Sequence, residues 1–175
     1  MESLDSLPNI QSTPLPDFDA STALPNGDFF PSRTDFEARF VNGSVRRTTI
    51  YNGWNRHRSA LKDAGLPDSA RQLLNGSFTT TKNDPGDIDL AVEVPKADEL
   101  FNDESKLNPV VALLRGPKMK TNYECDAYPI FIFPPEHPDY SAVTLNGIRY
   151  WTKWFGRTRT GECKGRVWAT VGGLQ

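Results

Sequence analysis

The apolar positions of this chain follow two rhythms, one near 3.6 residues and one of two, separated by polar stretches rich in Pro and Gly. Between Ser44 and Ala64 the residues Ile50, Trp54, Leu61 and Ala64 recur by threes and fours, with His57 on the same stripe. That spacing predicts an amphipathic helix with Gly65 as its terminator. Gly53 sits inside it and works against helix propensity. Upstream, Ser32 with Asp35 three residues later predicts a capped helix over "FEARFV". "RQLLNG" reads as a short strand and "DIDLAVEV" as a second. In the second, Ile88, Leu90, Val92 and Val94 point one way, and Asp87, Asp89, Ala91 and Glu93 the other. Residues from about 97 to 114 read as helix, interrupted near Asn108-Pro109. "YECDAYPIFIF" is a third strand, stopped by Pro134-Pro135. "DYSAVTLNGIRYWTKWFG" predicts a helix with Ile148, Trp151 and Phe155 on one side, ending at Gly156. "GRTRTGECKGRVWATV" follows as a loop or hairpin and a final strand. The order helix-helix-strand-strand-helix-strand-helix-strand predicts an α/β (α+β) domain.

Residues 1–31 show neither rhythm and are rich in Pro, Ser, Asp and Asn. They are expected to form an extended N-terminal arm, with Leu15, Phe18, Leu24, Phe29 and Phe30 available for packing. Residues 32–175 are then expected as one domain, since 175 residues suit a single core. The net charge of −2 excludes attachment to nucleic acid by overall positive charge, so any polyanion contact is local. No apolar run approaches the roughly 18 residues of a membrane span. The start "MESLDSLPNI" lacks the basic-then-apolar layout of a secretory leader, so a cytoplasmic protein without a membrane partner is expected. Cys125 and Cys163 lie far apart and outside any paired metal spacing. They read as free thiols, Cys125 as a small buried strand residue.

The chemistry concentrates in "LLNGSFTTTKNDPGDIDLAVEV". Strand interiors disfavour aspartate, yet Asp87 and Asp89 stand one residue apart, and the period of two puts both on one face. Their desolvation and repulsion call for a compensating cation. Hard carboxylate oxygens suit Mg²⁺ or Mn²⁺ rather than Zn²⁺. Upstream, Gly76 lets a phosphate approach the backbone, and a short helix starting after it would give Ser77, with the N–H groups of Phe78 and Thr79, an anion site. Phosphates beside paired carboxylates imply a metal–nucleotide complex. A third acidic ligand is offered by Asp126 in the middle of the third strand, ahead of Glu124 on the same face.

Gly76-Ser77, then Asp87-Ile88-Asp89-Leu90 ten residues on, then Asp126, resembles the nucleotidyltransferase superfamily with the polymerase-β-like catalytic core. "GSFTTTK…PGDIDL" and "YWTKWFG" look like a subgroup of its small stand-alone bacterial and phage members. The resemblance implies a small mixed sheet flanked by helices. It implies that Gly76 and Ser77 hold the triphosphate, that Asp87 and Asp89 bind both metals, and that Asp126 completes the metal on the nucleophile side. Many small members carry an arginine soon after Gly-Ser, where this chain has Phe78 and a threonine run; Lys82 could replace that charge. The implied activity is transfer of a nucleoside monophosphate from an NTP, ATP included, or a dNTP to a hydroxyl. The acceptor is a nucleic-acid 3′ end, a growing oligonucleotide or a protein side chain. Toxin–antitoxin or antiviral defence is the implied setting by analogy with small members. The alternative is a catalytically silent relative, an antitoxin-like or regulatory partner that recognises nucleotide or another chain without turnover, for which the Pro-rich arm is suited.

Two other features stay open between chemistry and packing. Lys153, Arg157, Arg159, Lys164 and Arg166, interleaved with Trp151, Trp154 and Trp168, suit either phosphate and base contacts or an amphipathic helix with core tryptophans and a charged hairpin. Arg46, Arg47, Arg56 and Arg58 are expected on the outer face of the second helix, with one able to reach a phosphate. His57 reads as a packed histidine and His137 as a loop residue.

Overall fold

The computed structural model describes residues 14–96 and 98–174. Residues 1–13 of the expected arm therefore lie outside the described residues. Five strands form one mixed sheet in the order β1-β5-β2-β3-β4. Their ranges are β1 Asp28–Phe29, β2 Arg71–Asn75, β3 Ile88–Pro95, β4 Cys125–Ile132 and β5 Arg166–Thr170. β1 runs parallel to β5 and β3 parallel to β4, while β2 is antiparallel to both of its neighbours. The fold is α+β, with helices on both faces of the sheet.

The helices are α1 Arg33–Phe40, α2 Val45–Asp63, α3 Asp98–Phe101, α4 Glu104–Ala112, α5 Lys120–Tyr123 and α6 Asn146–Phe155. Ser32 caps α1 by accepting from the Asp35 N–H, and Ser44 caps α2 by accepting from the Arg47 N–H. Gly65, at φ +105°, follows the end of α2. The break expected near Asn108-Pro109 lies earlier. Asp103 caps α4 through the Ser105 N–H at 2.9 Å, and Pro109 is accommodated inside that helix. The cost is one lost backbone bond. Gly53 has a packing reason: a Cβ there would run into the Tyr123 carbonyl at the end of α5.

The alternation read in the sequence is realised in β3. Ile88, Leu90, Val92 and Val94 join the larger core with Phe36, Ile50, Trp54 and Leu61 of α1 and α2. Ala91, with Leu73, Ile130 and Trp168, faces the other way against Ile148 and Phe155 of α6. Each fully buried large apolar side chain contributes roughly 1.5–3 kcal/mol. Cys125 is buried and Cys163 exposed, and both are free thiols. The described part of the leader is anchored, because Ala23 and Leu24 are buried and Asp28 accepts from Arg166 and Trp168 of β5.

At the far edge, β4 is closed locally. The Gly116 N–H donates to the Ala127 carbonyl at 2.7 Å, and Pro129 stands opposite Val92 in the middle of the strand. No helix among the described residues is long and apolar enough to cross a membrane.

Candidate functional site

Register brings the predicted carboxylates together. Asn75 is paired with Asp89 across β2 and β3, and Asp89 with Asp126 across β3 and β4. These three form one row at the end of the sheet, on neighbouring strands about 4.8 Å apart. Asp87, two residues before Asp89, lies just outside the strand on the same side. Lys120, the first residue of α5, reaches between them. Its Nζ is 2.5 Å from Asp87 Oδ2 and 3.7 Å from Asp126 Oδ1. The longer contact is an ion pair beyond hydrogen-bond reach and leaves the buried Asp126 Oδ1 without a hydrogen-bond partner. Glu124 does not join the group; it is left-handed at φ +57° and pairs with Arg46 Nη2 at 2.8 Å.

Burial, reinforced by the charges of Asp87 and Asp126, pushes the Asp89 carboxyl up to about 6. Asp126 is raised by burial and by Asp87, against the opposing pull of Lys120. Three anions therefore converge where Lys120 and Lys164 offset only part of their repulsion.

The Gly76-Ser77 turn abuts this row. Gly76 has φ +82°, and a Cβ there would fall on Asp89 Oδ2, so only glycine fits beside the carboxylate. A 3₁₀ turn, Ser77–Thr79, does start after it, and Phe78 plugs into the core as its anchor. The buried Lys164 donates from Nζ to Asn75 Oδ1 and to the Gly76 carbonyl, each at 2.7 Å. Burial lowers its ammonium to about 8, partly opposed by Asp89. The Asn75 side chain in turn accepts from the Gly76 N–H at 2.6 Å and donates to the Phe155 carbonyl.

Arg47 fixes the loop beyond. Its guanidinium donates to the carbonyls of Phe40, Phe78, Thr80 and Lys82 at 2.9, 2.7, 2.7 and 2.5 Å. This corrects the placement of the arginines. Arg47 is buried rather than on the outer face, Arg58 lies over the Trp54 ring, and Arg46 bonds to the Pro85 carbonyl. Lys82 itself is exposed, and the cations that reach the carboxylates are Lys120 and Lys164.

Among the described residues no three His, Cys, Asp or Glu side chains are disposed as ready metal ligands. Lys120 occupies the space between Asp87 and Asp126. The donor set still fits a hard divalent cation. It consists of oxygens alone, one buried oxygen lacks a partner, and Gly76 leaves room at Asp89. Two surface cavities, of about 310 Å³ beside Arg58 and about 460 Å³ beside Arg47, lie away from the three carboxylates.

The sequence reading missed Lys120, set Arg47 on the outer face and left Lys164 open within the basic stretch. Arg47 carried a signal, since it lies three residues before Ile50 on the stripe that continues to Trp54, His57 and Leu61. Lys120 carried none, and Lys164 only its place in the basic stretch, because the folded chain alone brings them to the row. His57 is buried as expected, donating from Nε2 to the Leu113 carbonyl at 2.7 Å, and His137 stacks on Phe133 in a loop. Of the basic stretch, Lys164 is buried, Arg166 pairs with Asp28 and Trp168 is core, whereas Trp154 is exposed.

Comparison with curated proteins finds no match, and comparison with solved structures finds none. One family matches across residues 16–170, nearly the whole chain. The chain belongs to this family of unknown function, DUF6932.

Proposed function

We propose that the protein is a metal-dependent nucleotidyltransferase, moving a nucleoside monophosphate from an NTP or dNTP to a hydroxyl acceptor. The observation that supports this reading is the row Asn75–Asp89–Asp126, with Asp87 beside it, set against the Gly76-Ser77 turn. Asp87, Asp89 and Asp126 would hold Mg²⁺ or Mn²⁺, which supplies charge neutralisation for the phosphates and acidity for the hydroxyl. Gly76 and Ser77 bind the triphosphate, and Lys164 and Arg47 keep that turn in place through its carbonyls. The acceptor oxygen forms a bond to the α-phosphorus. The bond from that phosphorus to the bridging oxygen breaks, and pyrophosphate leaves with the electron pair. Asp126 Oδ1, buried and lacking a hydrogen-bond partner, takes the hydroxyl proton. A nucleoside triphosphate donor puts the reaction in the cytoplasm, and a defence setting rests on the resemblance alone.

The test is incubation of the protein with each labelled NTP and dNTP and Mg²⁺ or Mn²⁺, followed by mass spectrometry of protein and small nucleic acids. Label incorporation or pyrophosphate release that disappears in Asp87→Ala and Asp89→Ala supports the enzyme. Label that persists in both variants overturns it.

One observation favours a second reading. Lys120 already neutralises part of the cluster, and a fold balanced by its own lysine suits a silent relative that binds a partner chain. The two readings differ in turnover. Nucleotide binding without pyrophosphate release under either metal supports the silent protein, and release supports the enzyme.

A further inference from the structure

Tyr128 follows Asp126 by two residues in β4, which puts the two side chains on one face of the sheet. Its ring lies on Trp151 of α6, with centroids 4.8 Å apart. Trp151 meets Tyr150 edge-on at 5.0 Å, and Tyr150 runs parallel to Trp154 at 6.4 Å, their planes 1° apart. An unbroken aromatic row thus leads from the carboxylate edge to open surface, where Tyr150 is 57% and Trp154 66% exposed.

The core does not require those two rings. Ile148, Thr152 and Phe155 form the buried side of α6. On the outer side Tyr150, Lys153 and Trp154 follow one another at helical spacings of three and one, so they share a stripe, and Arg157 stands two residues past the end of α6, bridged to Cys163. Lys153 and Arg157 are exposed, and the Arg157 guanidinium also donates to the Gly161 carbonyl at 2.8 Å. Residues 146–159 contain Arg149, Lys153, Arg157 and Arg159 and no Asp or Glu, in a chain whose net charge is −2. Stacked rings interleaved with cations match the alternation of base and phosphate along a single strand. A protein interface would instead be depleted of lysine at its centre.

We propose that this outer face of α6, with Arg157 just beyond its end, binds single-stranded nucleic acid, with bases on Tyr150 and Trp154 and phosphates on Lys153 and Arg157. A strand laid there leads its end past Trp151 and Tyr128 to the carboxylates. The surface names the acceptor for the nucleotidyl transfer proposed above and rests on that reading for this last step; binding itself does not depend on it.

The test uses the full chain in EDTA at low salt, with fluorescein-labelled oligouridine and oligothymidine of about twelve nucleotides, within the usual single-strand site size. Anisotropy is expected to rise with protein, and tryptophan emission to fall. Tyr150→Ala and Trp154→Ala are each expected to weaken binding roughly fivefold or more. Lys153→Ala is expected to reduce the slope of log affinity against log salt by about one. Because Tyr150 and Trp154 are exposed, their variants keep the parental melting curve, which separates lost binding from lost folding.

No binding by the parent chain overturns the proposal, as does parental affinity in both aromatic variants or a dimer in solution that occludes the face. Oligonucleotide binding with every transfer assay blank supports this surface and overturns the catalytic reading. Transfer to a protein side chain with no oligonucleotide binding supports the catalytic reading and overturns this surface.

Discussion

Asp89 shows what assembling the cluster costs the fold. Its carboxyl is pushed from an ordinary 3.8 up to about 6 by burial, then by Asp87 and Asp126. A raised value means that its contribution to stability is fully present below pH 3.8 and is lost as pH rises through about 6. At neutral pH the ionised group therefore works against folding. Asp89→Asn is expected to melt a few degrees above the parent at pH 7.5, at about 2–4 °C per kcal/mol for a domain of this size. The gap is expected to close as pH falls toward 4, as measured by calorimetry across pH. Under the proposed function, magnesium with nucleotide is expected to raise the parent's melting temperature and not the variant's. The aspartates were legible in the sequence because a charged residue in a strand contradicts its surroundings. Lys120 was not, nor was the place of Lys164, because a long side chain on a loop or short helix has no spacing that betrays where its ammonium lands.

The long helix α2 carries two constraints that propensity alone would misjudge. Replacing Gly53 by alanine favours an isolated helix by about 1 kcal/mol. Here the added methyl would meet the Tyr123 carbonyl carbon and the Glu124 Cβ, each at 2.8 Å. Overpacking of this kind costs about 1–3 kcal/mol, so the net expectation is destabilisation in urea. The clash also pushes on α5 and on the Lys120 that begins it. His57, four residues on, is buried with its Nε2 on Leu113, and burial lowers it below the ordinary 6.5. A depressed value contributes stability above pH 6.5 that is lost as pH falls through the folded-state value. His57→Phe is expected to lose less stability on acidification than the parent, whatever its stability at pH 8. The helix itself was readable from the spacing of Ile50, Trp54 and Leu61, and its end from Gly65. The α3–α4 break was misplaced because Pro109 drew attention from Asp103, whose side chain sets the start of α4.

The whole sheet depends on a segment that has no periodicity. β1 is two residues long, yet Asp28 receives Arg166 Nε and Nη2 at 2.7 and 2.6 Å and Trp168 Nε1 at 2.7 Å. Asp28→Ala leaves those donors without their acceptor in a part-buried site. It is expected to cost about 1–3 kcal/mol by chemical denaturation. Two residues cannot show alternation, so β1 was invisible in the sequence, where the same stretch read as arm. Four of the five strands and the mixed architecture were recoverable because their apolar faces meet helices on both sides.

The closed edge at β4 determines how other molecules can join this one. With Gly116 bonded to Ala127 and Pro129 contributing no donor, the strand that holds Asp126 cannot template a sixth strand. Recruitment by β-augmentation, and runaway stacking into fibrils, are thereby shut off at the margin beside the carboxylates. A guest molecule must dock on side chains there instead of borrowing backbone.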